Sequence, residues 1–353
     1  MKNLPQWVNH FNARKLVDSF YRQGWNTLYP PDTYKQSTAD EKNYEIKPFG
    51  LSAKGFPYDF KKFEGANYNP ILATPFGNTL TTEFAKSSII NESLGIDSIT
   101  DFLAISYSST DYIGHSFGTN AIEIEDTYLR LDQELGDLFN FLDSKAGKNQ
   151  WLLFLSADHG AAQAPAYMKE NKIPAGHFTK EVLIEQLNQD LSKQFGKEDM
   201  VIGIINYQVV LNLPLIKLIS KVKLSEVNGW IIDFLTQQEA IERAFALDDL
   251  AGTPLAPKIK GMVANGYYPN RSGQIQIILK PQWIDEYSSG GTKHGVWNPY
   301  DSRIPLLWYG WQIKNGTLNR EINITDIAPT LASLLSIQVP NGSVGTVISE
   351  LIK

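Results

Sequence analysis

The chain has 353 residues, a net charge of −6 and no cysteine. The acidic balance argues against a nucleic-acid partner, and the lack of thiols excludes disulfides, thiolate zinc fingers and cysteine nucleophiles. An anionic substrate is still compatible, because bound metal ions supply positive charge locally.

The opening residues, MKNLPQWVNHFNARK, lack the apolar core of a signal peptide. Leu4, Trp7, Val8 and Phe11 fall at helical spacing and predict an amphipathic helix, with His10 on its surface. Residues 1–100 are rich in aromatics and turn formers, and a second helix is predicted over TTEFAKSSIINESLG, ending at Gly95. Residues 101–107, DFLAISY, are expected to form a buried strand, followed by a Ser- and Gly-rich loop, SSTDYIGHSFG. A long amphipathic helix is predicted over residues 121–143, where Tyr128, Leu131, Leu135, Leu138, Phe139 and Leu142 share a face. WLLFLS, residues 151–156, is the next buried strand. Strand, loop, helix, strand is the grammar of an α/β fold with a mainly parallel sheet sandwiched by helices.

Residues 165–285 form the expected inserted α+β subdomain. INYQVVLNL and GQIQIILK read as strands, with LSEVNGWIIDFLTQQ as a helix between them; His177, in IPAGHFT, reads as a turn residue. RIPLLWYG then resumes the main sheet. ITDIAPTLASLLSI is a helix with Thr325 or Asp326 as its cap. No apolar run approaches the roughly 20 residues of a membrane span.

Two strands thus end in segments that hold an acid and a histidine: Asp111 with His115, and Asp158 with His159. His294 follows in the loop SSGGTKHGVWNP, where Gly290, Gly291 and Gly295 allow backbone to approach a ligand closely. Each piece alone has an ordinary reading, as a helix cap, a turn or a solvated loop residue. Together at strand ends, they sit where open α/β sheets bind ligands. Imidazole and carboxylate donors suit zinc. Five ligands exceed one tetrahedral ion and point to a pair about 3.5–4 Å apart, a device of phosphoryl transfer.

STDYIGHSFG, LLFLSADHGA, GTKHGVWNPYDSRIPLLWYG and ITDIAPTLASLLSIQVPNGSVG, in this order, resemble the alkaline phosphatase superfamily. The resemblance covers essentially residues 1–353. The branch it resembles is the PafA-type zinc alkaline phosphatases, near the nucleotide pyrophosphatase/phosphodiesterases. It implies an alkaline phosphatase-like fold and two Zn2+ ions, one on Asp111, His115 and His294 and one on Asp158 and His159. It also implies small-molecule phosphate monoesters as substrates and a periplasmic or secreted location. A phosphodiesterase or nucleotide pyrophosphatase, or a non-catalytic metal-binding remnant, are the alternatives. The family's N-terminal aspartate ligand, threonine nucleophile and phosphate-holding residues have no match here, and Thr74 in ATPFGNT lies in the wrong place for the nucleophile. The chain is therefore expected to be the C-terminal two-thirds of a larger enzyme, with Met1 an internal methionine, an exposed apolar sheet edge and poor activity alone. Its oligomeric state is not readable from sequence.

Overall fold

Two short helices, α1 (Gln6–Ala13) and α2 (Leu16–Gln23), begin the fold. The computed structural model describes residues 3–47, 50–51, 53–219, 222–285 and 290–352; Met1 and residues 288–289 of the glycine-rich loop lie outside them. Phe11 of α1 is buried edge-on against Phe84, 5.1 Å between ring centroids. Phe84 belongs to α3 (Pro75–Asn91), which begins at Pro75 rather than Thr81 and ends before Gly95. Pro at the first helical position has no N–H to leave unpaired, so Thr74-Pro75 sets this earlier start. His10 is exposed, as expected.

The aromatic residues of the first hundred build one cluster. Tyr21, Trp25, Tyr58, Phe60, Ile113 and Phe117 are all essentially inaccessible. Trp25 and Tyr58 exchange backbone hydrogen bonds at 2.9 Å in an isolated antiparallel bridge. Gly24 precedes it with φ +68, and a Cβ there would meet the Tyr58 carbonyl oxygen at 2.9 Å.

SSTDYIGHSFG is a helix rather than a loop: α4 spans Ser109–Phe117 and stops at Gly118, φ +89. Ile113 and Phe117, four apart, plant one face of α4 in the aromatic cluster. Burial of two such side chains is worth roughly 1.5–3 kcal/mol each, enough to override the modest helix propensity of Ser, Thr and Gly. The expected strand at 101–107 does not form; those residues are largely exposed and without a ladder partner among the described residues.

The long helix, α5 (Ile122–Lys145), is present as expected. Its deepest face is polar: Glu123, Asp126 and Thr127 are fully buried, whereas Tyr128 is exposed and Leu138 alone of the predicted apolar stripe is buried. Asp126 accepts hydrogen bonds from Trp25 Nε1 (2.8 Å), Leu28 N (2.6 Å), Tyr34 Oη (2.5 Å) and Arg130 Nε (2.7 Å). This full set of donors compensates its burial.

β1 (Leu152–Ser156) pairs with β8 (Leu306–Gly310), in antiparallel register from Leu152↔Gly310 to Ser156↔Leu306. The expected mainly parallel sheet is thus not what the described strands pair into. β2 (Gly176–His177) and β7 (Trp283–Ile284) make the one parallel pair among them, which places His177 in a strand rather than a turn. β1 is half-buried along its length, and among the described residues it pairs with β8 alone. Phe102 lies beside it, 6.5 Å from Phe154, and is 67% exposed; Leu307 and Tyr309 of β8 are 58% and 51% exposed. The expected apolar sheet edge is present.

Between these elements, α6 (Pro165–Glu170) leads into α7 (Lys180–Phe195), β3 (Val201–Ile205), β4 (Gln208–Leu211), α8 (Leu213–Lys217), α9 (Leu224–Thr236), β5 (Ile241–Ala246), α10 (Pro257–Gly266) and β6 (Ile275–Leu279). The strands form one antiparallel sheet in the order β3-β4-β6-β5. Leu187 and Leu191 of α7 and Ile231 and Leu235 of α9 cover it, all with no exposure. INYQVVLNL holds the strand β4 and the turn that joins it to β3: Asn206 and Tyr207 both have positive φ (49 and 60), as a two-residue primed turn requires. β5, IERAFA, went unpredicted because its charged outer residues mask the alternation. α11 (Pro299–Ser302) precedes β8, and α12 (Ile327–Leu334) closes the fold behind Asp326, whose carboxylate accepts from Asn323 N (3.0 Å) and Thr346 N (2.8 Å).

One buried group gives the fold a pH dependence. Tyr58 Oη lies 2.6 Å from both the Lys54 carbonyl oxygen and Glu123 Oε1. One hydroxyl proton cannot serve both acceptors, so the geometry favours a protonated Glu123. Burial pushes the Glu123 carboxyl up to about 8; the Tyr58 hydrogen bond opposes this, and the charges of Glu45 and Asp40 reinforce it. Burial likewise raises Glu45 to about 7, against the pull of Lys42 and Lys54. The native state therefore keeps protons that the unfolded chain releases near pH 4.5, and stability falls as pH rises from there towards 8. Glu123→Gln is expected to flatten this slope and to raise stability at pH 8 by an amount on the order of 3 kcal/mol, read from urea melts at pH 5, 6.5 and 8. An unchanged slope in the variant refutes the assignment.

Candidate metal centre

α4 presents Asp111 and His115 on one face because residues four apart in a helix are neighbours. His115 Nε2 lies 3.3 Å from Asp111 Oδ2. The opposite face holds Ile113 and Phe117, so the aromatic cluster fixes where the two polar side chains point. Asp158 and His159 follow directly on the end of β1, with His159 Nε2 3.5 Å from Asp158 Oδ2. His294 comes from the glycine-rich loop between β7 and α11, its Nε2 3.7 Å from Asp111 Oδ1.

Among the described residues the structure brings Asp111, His159 and His294 into one cluster, with His115 beside Asp111; Asp158 is placed only against its chain neighbour His159. The tightest cluster among the described residues draws on both of the implied ion sites. Asp111, His159 and His294 are the trio whose ligand atoms all lie within 4.8 Å of one another. The His159 and His294 rings stack with centroids 3.4 Å apart and 10° between planes, and His115 lies 5.0 Å from His294. His115 joins through Asp111. Asp158, its side chain 89% exposed, joins through His159.

Backbone contacts hold these loops in place. Gly291, φ +72, passes so close to α4 that a Cβ would meet the His115 carbonyl oxygen at 2.0 Å; only glycine fits. Its N–H donates to Tyr44 O at 2.6 Å, and Thr292 N donates to His115 O at 3.3 Å. Thr292 Oγ1 donates to Ala162 O (2.5 Å), and Ala162 N donates to Lys293 O (3.0 Å), tying the His294 loop to the segment after His159. Thr292 was not singled out from sequence; a buried threonine between glycines carries no signal until the contact is seen.

The donor set fits a metal. His115 Nδ1 is 2.8 Å from Thr292 O and His159 Nδ1 is 2.7 Å from Gly160 O. An imidazole whose Nδ1–H is donated to a carbonyl presents the Nε2 lone pair, the arrangement that orients metal-binding histidines. Burial raises the Asp111 carboxyl, but the His115 hydrogen bond and the neighbouring imidazoles outweigh it and hold it below its ordinary value. His115 is raised, first by its hydrogen bond to Asp111. His294 is lowered, first by burial and then by His159.

Thr74 is not part of this site. It is fully buried at the start of α3, and its hydroxyl donates to Ile71 O at 2.9 Å.

The type I phosphodiesterase / nucleotide pyrophosphatase profile matches residues 2–301. Alkaline phosphatase PafA of Elizabethkingia meningoseptica is 43% identical, over 99% of this chain and 64% of its own length. Alkaline phosphatase PhoV of Synechococcus elongatus is 44% identical, over 100% and 63%. A Myroides odoratus protein named as a calcium-transporting ATPase is 46% identical, over 100% and 65%. The crystal structure of wild-type PafA superposes with a TM-score of 0.95 at 43% identity, covering 100% of this chain and 67% of that one. The chain therefore spans about two-thirds of the length of these relatives, and its α/β architecture is alkaline phosphatase-like. No helix among the described residues is long and apolar enough to cross a membrane. The chain belongs to the type I phosphodiesterase / nucleotide pyrophosphatase family of the alkaline phosphatase superfamily, and within it is of the PafA type.

Proposed function

We propose that this chain is the metal-holding part of a zinc-dependent phosphate monoesterase. One observation carries the reading: Asp111, His159 and His294, from three separate segments, bring ligand atoms within 4.8 Å of one another, and the His115 and His159 imidazoles are turned by backbone carbonyls so that Nε2 faces a carboxylate. Asp111, His115 and His294 would hold one Zn2+, and Asp158 and His159 the second. Bound there, two such ions neutralise the charge that develops on a transferring phosphoryl group. The chain's own residues orient and space the ligands. The substrates on this reading are small phosphate esters, and the setting is periplasmic or secreted. Residues 165–285 serve as an inserted subdomain beside the centre.

No hydroxyl nucleophile is assigned within these 353 residues. Thr74, the Thr-Pro candidate, is committed to the Ile71 carbonyl and buried. A covalent route through a hydroxyl needs that group exposed beside the phosphate, which excludes Thr74; on this reading the nucleophile lies outside these 353 residues.

Two measurements test the reading. Competition with a chromophoric chelator is expected to show tight zinc binding by the chain. His115→Ala or His294→Ala should weaken it by more than the roughly 10–100-fold that loss of an outer partner costs, while His10→Ala leaves it unchanged. Equal affinities in all four proteins sink the metal assignment. With excess zinc, turnover of p-nitrophenyl phosphate by the chain alone is expected near background. Extended to its relatives' full length, the protein should hydrolyse the monoester faster than bis(p-nitrophenyl) phosphate. Strong turnover by the short chain overturns the placement of the nucleophile, and a preference for the diester selects the phosphodiesterase alternative.

A further inference from the structure

Asp301 lies on neither the His159 segment nor the His294 loop, yet it is bonded to both. It is 3% exposed, within the single turn α11. Its Oδ2 accepts from Gly295 N at 2.6 Å and Val296 N at 2.7 Å, the two amides after His294. Its main-chain carbonyl accepts from Gly160 N at 2.6 Å, the amide directly after His159. One residue thus closes a bracket around the two histidines whose rings stack at 3.4 Å. Glycine is required on the His159 side: a Cβ on Gly160 would meet the Tyr300 carbonyl oxygen at 2.2 Å. On the other side, Gly295 sits at φ +108, a conformation L side chains rarely adopt.

The chemistry of the side chain matters as well as its place. Hydrogen bonds from N–H to a carboxylate are shorter and about twice as strong as neutral ones, and both Oδ2 contacts are short. Oδ1 is enclosed without a hydrogen-bond partner. A buried carboxylate with one bare oxygen is costly in isolation. Its charge also reaches the His294 ring, where it favours positive charge. A cation held by that ring feels the same field, so the uncompensated charge is useful where it lies.

We propose that Asp301 is a positioning residue that clamps the His159 and His294 segments into one unit and so fixes the spacing of their imidazoles for a divalent cation. The proposal rests on the reading of His159 and His294 as metal ligands. The clamp itself can be tested without metal.

In the zinc-free 353-residue chain, NMR is expected to show ring-current shifts on the His159 and His294 imidazole protons. Asp301→Ala should abolish them and leave His10 and His177 unmoved, and should weaken zinc binding about 10–100-fold. Asp301→Asn keeps an oxygen able to accept both amides and should restore the ring shifts and most of the affinity. General loss of stability would not spare two histidines or be rescued by the amide. Unchanged ring shifts in Asp301→Ala, or an Asn variant as impaired as the Ala variant, overturn the clamp. A wild-type chain that shows the ring shifts but binds no zinc overturns the metal reading instead. Should Asp301→Ala not fold, hydrogen exchange on the wild-type chain decides: the amides of Gly160, Gly295 and Val296 are expected to open together, and independent opening refutes the proposal.

Discussion

The close crossing of the 290–295 loop over the C-terminal half of α4 is the constraint on which the centre depends. At Gly291 the loop backbone lies against the His115 carbonyl with no room for a Cβ. From that crossing, Thr292 offers its carbonyl to His115 Nδ1 and its hydroxyl to Ala162. His294, two residues on, is delivered to Asp111. A loop that crossed even one side-chain width further away would separate the His115 ring from its carbonyl and His294 from the carboxylate. Rigid ligand spacing here is therefore a property of backbone packing, and the ligands inherit it.

Support for α4 comes from beneath. Its apolar face enters an aromatic cluster, and α5 braces that cluster through buried polar groups. Asp126 gathers donors from Trp25, Leu28, Tyr34 and Arg130, so the segments around residues 25–34 are pinned to a helix about a hundred positions later. Glu123 lies 2.6 Å from the Tyr58 hydroxyl and ties α5 to that residue as well. Buried polar networks of this kind, once satisfied, favour a single arrangement over the many that apolar contacts alone would tolerate. That uniqueness passes upward to the direction in which Asp111 and His115 point.

The sheet is organised differently. Among the described residues β1 pairs with β8 alone; residues 101–107 form no ladder, and Phe102 lies 6.5 Å from Phe154. An isolated two-stranded ribbon with exposed Leu307 and Tyr309 is marginal by itself. The α7, α9 and β3–β6 unit has its own fully buried leucines and isoleucines, while Ile202 and Ile205 of its edge strand β3 are 63% and 61% exposed.

Much was legible in the residues alone. Apolar spacing located α1, α5, α9 and α12, and runs of Leu, Ile and Val located β1, β6 and β8, because periodic burial is written into local sequence. The five candidate ligands were named from residue type and from their placement after apolar runs. What escaped was everything that depends on a neighbour distant in the chain. Whether DFLAISY becomes a strand depends on a ladder partner. SSTDYIGHSFG looked like a loop by composition, and only the cavity that receives Ile113 and Phe117 makes it a helix. The deep face of α5 proved polar because its partners are Trp25 and Tyr58. Sequence thus determined which side chains bear the chemistry, since that is a matter of functional groups. Tertiary structure decided how they are spaced and which way their rings face, since a hydrogen bond from His115 to Thr292, 177 positions away, exists only once the backbone has closed.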